Sequence, residues 1–302
     1  MQSALARGRR PRPQFSEGLV SAGVETLALE ASGFTFDALA AGPADGRVVL
    51  LLHGFPQTSR SWSAVAPLLA EAGHRVVAPD LRGYSPGARP GRVEDYVLAA
   101  LVGDVVGFAD ALGAEQVDLV GHDWGAAVAW QAAARAQDRV RTLTAVSVPH
   151  PHAFTYALST DSDQRERSSY MRLFRQEGKA ERVLERSGWR SLRAMYGGAV
   201  AAADVEHYVD VLAAPGALTA ALSYYRAASV DDLKGLEEIR VPTLYVWSTG
   251  DVAIGRAAAE ATAQHVAGPY RFLELDGVSH WVPDEAPSEL AAAVLEHLAA
   301  PR

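Results

Sequence analysis

The sequence predicts an α/β protein, with a mostly parallel, twisted sheet flanked by helices and a helical segment inserted partway along. Three observations carry this. Short apolar runs such as Val48–Leu52 (VVLLL) and Arg75–Ala78 (RVVA) alternate with stretches of helical spacing, the rhythm of parallel strands joined by right-handed crossovers. One run, Val117–Val120, passes through Gly121-His122-Asp123-Trp124-Gly125 straight into AAVAWQAAARA, a strand-to-helix turn without an intervening loop. From about Pro149 to Asp232 the strand-like runs stop and Arg-, Tyr- and Ala-rich helical periodicity takes over.

Taken in order, Val24–Leu29 and Phe34–Leu39 read as a hairpin turned at Ser32-Gly33. Val48–Leu52 is apolar throughout, as expected of a strand buried on both faces. Trp62–Ala70 has helical spacing, Arg75–Ala78 is a second buried strand, and Asp95–Leu112 is an amphipathic helix closed by Gly113. Val117–Val120 leads to the sharp turn, Ala126–Gln137 is the helix out of it, and Val140–Val148 is a further strand. After the helical insertion, Ile239–Trp247 and Tyr270–Leu275 restore strands and Glu289–Leu298 closes the chain as a helix. The expected organisation is a flexible tail over residues 1–20, a first core part over 21–148, a helical lid over 149–232 and a second core part over 233–302.

Composition narrows the function classes. The 302 residues can bury a large core. A net charge of −8 speaks against a nucleic-acid partner, and no apolar run reaches membrane-spanning length. With no cysteine, disulfides, thiolate metal sites and Cys nucleophiles are excluded. The opening MQSALARGRRPRPQ is basic and Pro-rich but lacks the apolar stretch of a secretion signal. A cytoplasmic monomer or homodimer is expected.

The chemistry centres on Asp123. A strand–turn–helix of the form Gly-x-x-x-Gly is the layout of a nucleophile elbow, which lifts one side chain above the end of a sheet. The usual centre is Ser; a carboxylate there suits attack on a saturated carbon to form an alkyl ester. It opens epoxides or displaces halide more readily than it cleaves amides. Asp251 and His280 each follow a later strand by a short turn, giving the order nucleophile, acid, histidine at strand carboxyl ends, where sites of parallel sheets assemble.

The motifs HGFPQTSRSW (53–62), APDLRGYSPGARP (78–90), GHDWGA (121–126), VPHPH (148–152), the turn around Asp251 and GVSHWVPDEAP (277–287) together resemble an α/β-hydrolase-fold epoxide hydrolase. Arg carries nearly all the positive charge and Ala is very frequent, which points to a bacterial source. The resemblance implies an enzyme acting on a small organic epoxide without metal or cofactor. It implies that the backbone N–H groups of Phe55 and Trp124 form an oxyanion hole, and that His53, Pro56, Trp124 and Trp281 line the substrate pocket. It further implies two lid phenols that donate to the epoxide oxygen: Tyr170, in a segment ending Phe174-Arg175-Gln176, and Tyr225, in a Tyr-Arg pair. GHDWGA is shared with haloalkane dehalogenases, so haloalkane or haloacid dehalogenation stays open, with Trp124 and Trp189 as candidate halide donors. A non-catalytic ligand-binding protein on the same fold is the third reading. Ser248, where the family often has Gly, and the loop Tyr84-Ser85-Pro86-Gly87 depart from the family pattern.

Overall fold

The computed structural model describes residues 23–300; the tail expected over residues 1–20 lies outside them. Eight strands form one sheet in the order β1-β2-β4-β3-β5-β6-β7-β8. β1 (Val24–Ala31) and β2 (Phe34–Ala41) are an antiparallel hairpin. Its turn residues Ser32 and Gly33 both have positive φ (51° and 79°), the conformation two-residue hairpin turns favour. β2 pairs antiparallel with β4 (Arg75–Pro79), and from there every pairing is parallel through β3 (Val48–Leu52), β5 (Val117–His122), β6 (Val140–Val146), β7 (Thr243–Gly250) and β8 (Tyr270–Ser279).

The apolar strands are explained by burial on both faces. Side chains alternate across a strand, so Leu50 and Leu52 join one core with α2 (Leu98–Ala111) and α3 (Trp124–Arg135). Val49 and Leu51 join the other core with α1 (Val65–Glu71) and the C-terminal helix Pro287–Ala299. All six residues of β5 are buried. The parallel strands end along one edge, so whatever follows Leu52, His122, Val146, Gly250 and Ser279 is brought together.

Between β6 and β7 the described residues are helical: α4 (Pro151–Thr160), α5 (Ser162–Arg167), α6 (Met171–Phe174), α7 (Lys179–Ala194), α8 (Ala202–Ala213) and α9 (Ala217–Ala227), followed by a 3₁₀ turn at Val230–Leu233. α7 is interrupted at Arg186–Trp189, where Ser187, Gly188 and Trp189 all have positive φ. Contacts that tie this segment to the strand ends include Tyr224 Oη donating to Arg82 O and Tyr196 Oη to Pro56 O, Arg167 donating to Asp251 O, and the Arg60–Asp204 pair. Beyond β7 lie α10 (Arg256–Ala261), α11 (Val282–Glu285) and α12 (Pro287–Ala299). Among the described residues no helix is long and apolar enough to cross a membrane.

Several boundaries differ from expectation for local reasons. The strand expected from Ile239 begins at Thr243, because Pro242 has no N–H to give the ladder; Ile239 makes only an isolated bridge to Val266. The helix expected from Asp95 starts at Leu98, after a 3₁₀ turn and an extended Val97. The helix expected from Trp62 is likewise split into a 3₁₀ turn (Ser59–Trp62) and α1. β6 stops at Val146, since Ser147 has φ 70°.

Candidate active site

Asp123 sits between β5 and α3 with φ 51° and ψ −120°, a strained backbone that costs on the order of 1–3 kcal/mol and is held by its surroundings. The turn closes only because glycine flanks it. A Cβ on Gly125 would stand 2.1 Å from Leu52 O, and one on Gly54 would stand 2.3 Å from Asp123 Oδ1. With Gly54 bare, the loop after β3 reaches the carboxylate, and Phe55 N–H donates to Asp123 Oδ1 at 2.7 Å. Trp124 is the first residue of α3, so its N–H lacks a partner within the helix beside the same carboxylate. The peptide bond between Phe55 and Pro56 is cis.

His280, one residue beyond β8, stands between two carboxylates. Its Nδ1 lies 3.0 Å from both oxygens of Asp251, and its Nε2 lies 3.7 Å from Asp123 Oδ2, an ionic contact longer than a hydrogen bond. Burial opposes the charged imidazolium, but Asp251 and Asp123 outweigh it and raise the pKa to about 10. Asp251 is itself fully buried. Burial works against its charge, yet His280, the Ser147 hydroxyl and the Ala253 amide hold its pKa below the ordinary carboxylate range. Its Oδ1 accepts from Ala253 N (2.8 Å) and Ile254 N (3.0 Å), and its Oδ2 accepts from Ser147 Oγ at 2.6 Å.

Two supporting residues escape sequence reading. Ser147 Oγ also lies 3.0 Å from His280 Nδ1, and its left-handed backbone turns it into the site; a lone Ser after a strand carries no signal of that. His122 Nε2 lies 2.9 Å from His280 O and so fixes the backbone of the histidine. Burial lowers the His122 pKa to about 4, which keeps the ring neutral. Its place within GHDWG was the available clue.

Asp123, Trp124, Tyr170 and Tyr225 line one cavity of about 390 Å³, walled mainly by apolar side chains. The Tyr170 and Tyr225 rings are 6.1 Å apart, edge to face, and Tyr225 packs against Trp124 at 5.0 Å. Burial, then the neighbouring tyrosine or Asp123, raises both phenols above their ordinary range, so both hold their protons. The adjacent Tyr224 is spent on Arg82 O, which leaves Tyr225 as the member of the pair that faces the cavity.

Three residues expected in the pocket are placed differently. His53 does not line the cavity. It is fully buried, with Nδ1 3.1 Å from Gly54 O and Nε2 accepting from Leu81 N, so both ring nitrogens shape the loop. Pro56 also lies outside the lining; its carbonyl accepts from Tyr196 Oη. Trp281 donates through Nε1 to Met195 O and packs on His280 and Tyr196, supporting the histidine from behind. Trp189 does not line the cavity either, so it cannot serve there as a halide donor. Among the departures from the family pattern, Ser248 Oγ donates to Ser279 O, and the loop from Tyr84 to Gly87 stays outside the cavity, with Tyr84 packed on His53.

Known proteins resemble this chain over most of its length. Residues 47–287 match the alpha/beta hydrolase fold family. A protein of Mycobacterium tuberculosis named Epoxide hydrolase A is 32% identical, over 89% of this chain and 96% of that protein. The crystal structure of Epoxide Hydrolase A from Mycobacterium thermoresistibile superposes with a TM-score of 0.80 at 28% identity, covering 91% of this chain and 98% of that one. A Bacillus megaterium epoxide hydrolase solved with an inhibitor gives a TM-score of 0.82 at 27% identity, covering 91% and 100%. The chain belongs to the α/β-hydrolase fold family, among its epoxide hydrolase relatives.

Proposed function

We propose that the protein is an epoxide hydrolase that converts an epoxide and water into a 1,2-diol through an alkyl ester on Asp123. The observation that carries this is the shared cavity, where the Asp123 carboxylate and two protonated phenols face one space. The substrate enters beneath the helices of residues 149–232, which act as a lid.

An oxygen of Asp123 attacks an epoxide carbon from the side away from the ring oxygen, and that C–O bond breaks. Tyr170 and Tyr225 hydrogen-bond the departing oxygen and one gives it a proton, since an alkoxide is a poor leaving group. The resting His280 is an imidazolium between two anions. Esterification removes the charge of Asp123, which lowers the pKa of the ring and lets it shed its proton, so that it is free to act as the base in the next step. The proton His280 gives up returns through solvent to the phenol. Water then attacks the carboxyl carbon of Asp123 as His280 takes its proton. The oxyanion develops on the oxygen to which Phe55 N–H already points, with Trp124 N–H beside it; such a donor is worth about 3 kcal/mol in the transition state. Collapse releases the diol and restores the Asp123 carboxylate and the His280 imidazolium. Asp251 orients and charges the histidine without taking its proton. No metal or organic cofactor enters this scheme, and we read the protein as a bacterial cytoplasmic enzyme, monomeric or dimeric.

The competing dehalogenation needs a second halide donor beside Trp124, and Trp189 lies outside the cavity. The test is diol formation from styrene-type and aliphatic epoxides beside halide release from haloalkanes. A single turnover in ¹⁸O-water is expected to label Asp123 and leave the diol unlabelled. Label appearing directly in the diol would contradict the ester route.

A further inference from the structure

The cavity is longer than epoxide chemistry requires, and its direction is set by α3. Asp123, Ala127 and Gln131 all line it; at four-residue intervals they form one stripe along the helix. Eight residues at 1.5 Å each carry that stripe about 12 Å from the carboxylate. The facing wall is a second stripe, Pro151, Phe154 and Leu158 of α4. The far polar side chain on α3, Gln131, is buried and held by the protein: Nε2 donates to Asp232 O and Oε1 accepts from Arg135 Nε. Arg175, also a lining residue, is exposed.

Resting on the epoxide hydrolase reading, we infer that the preferred substrates are epoxides bearing an extended apolar substituent that lies along α3, and that the small side chain of Ala127 sets how long it can be. Ala127 is the lining residue one helical turn beyond Asp123 and is partly exposed to the cavity. Any larger side chain there enters the corridor. The length of about 12 Å accommodates on the order of eight to ten carbons in extended form. The volume agrees, because about 390 Å³ at ~30 Å³ per heavy atom holds roughly a dozen.

The test is kcat/KM for terminal 1,2-epoxyalkanes from epoxybutane to epoxydodecane. It is expected to rise about three- to fourfold per added CH₂, the value of a buried methylene, and then level once the corridor is full. Ala127→Phe is expected to lower the ratio of kcat/KM for epoxydecane to that for epoxybutane by at least about tenfold, as is Leu158→Trp from the opposite wall should the first variant fold poorly. A profile flat with chain length in the wild type, or an unchanged ratio in a folded variant, would overturn the inference while leaving the ester mechanism intact. Opening of none of the epoxides would instead remove the reading on which it rests.

Discussion

Asp123, Asp251 and His280 leave the ends of three parallel strands, each fixed by buried backbone or by hydrogen bonds to neighbouring amides and hydroxyls. Tyr170 and Tyr225 are held in another way. They come from short helices, and ring contacts with Phe174, Phe55 and Trp124 place them. A hydrogen-bonded strand end has few alternative positions, whereas packed rings can slide or tilt when a neighbour changes. On the proposed reading, strand ends of the core carry the covalent chemistry, and the helical segment supplies the two phenols that assist ring opening.

The comparison can be broken from either side. The largest effect is expected for Asp123→Ala, which removes the attacking oxygen. Diol formation is expected to fall at least about 10⁴-fold with little change in the thermal midpoint. On the other side of the cavity, the double change Tyr170→Phe and Tyr225→Phe is expected to slow ring opening by about 10²–10⁴-fold, read as the pre-steady-state rate of ester formation. Rapid opening by that variant would mean that other groups protonate the oxygen. Phe174→Ala leaves both hydroxyls present but removes a buried ring that packs on each. A stability loss of about 3–5 kcal/mol is expected, with slower ester formation and an unchanged rate of ester hydrolysis.

Smaller effects probe the core. The pKa of His280 is raised by folding from 6.5 to about 10. Its stabilising contribution is therefore complete below about pH 6.5 and is lost as the pH climbs through about 10. Urea midpoints are expected to decline over that window in the wild type, and to decline less in His280→Gln. Ser147→Ala removes one charge-assisted hydrogen bond to Asp251, worth about 1.5–3 kcal/mol, and is expected to lower stability by that order while turnover persists. Abolished turnover in a folded Ser147→Ala protein would make this hydroxyl far more than a support.

The same contrast explains what was legible in the sequence. Strand β3 announces itself because burial on both faces demands an unbroken apolar run, and the elbow because Gly121 and Gly125 are needed where backbone meets backbone. Asp251 and His280 follow strands at turns that chain order alone can pick out. The roles of His53, Pro56 and Trp281 were less legible. A residue next to the site can face the cavity or face away to brace it, and this depends on partners such as Leu81 N, Tyr196 Oη and Met195 O, which are distant in sequence. Ser147 was silent for a related reason: its importance lies in a positive φ and in two partners, Asp251 and His280, just beyond β7 and β8.

The most direct measurement is the intact mass of His280→Gln after mixing with a terminal epoxide. A stable gain equal to one epoxide, mapped to the peptide that carries Asp123, is the expected result, because the carboxylate still attacks while the base for hydrolysis is gone. Sustained wild-type turnover with no adduct on that peptide would contradict the ester on Asp123 and the role of His280 together.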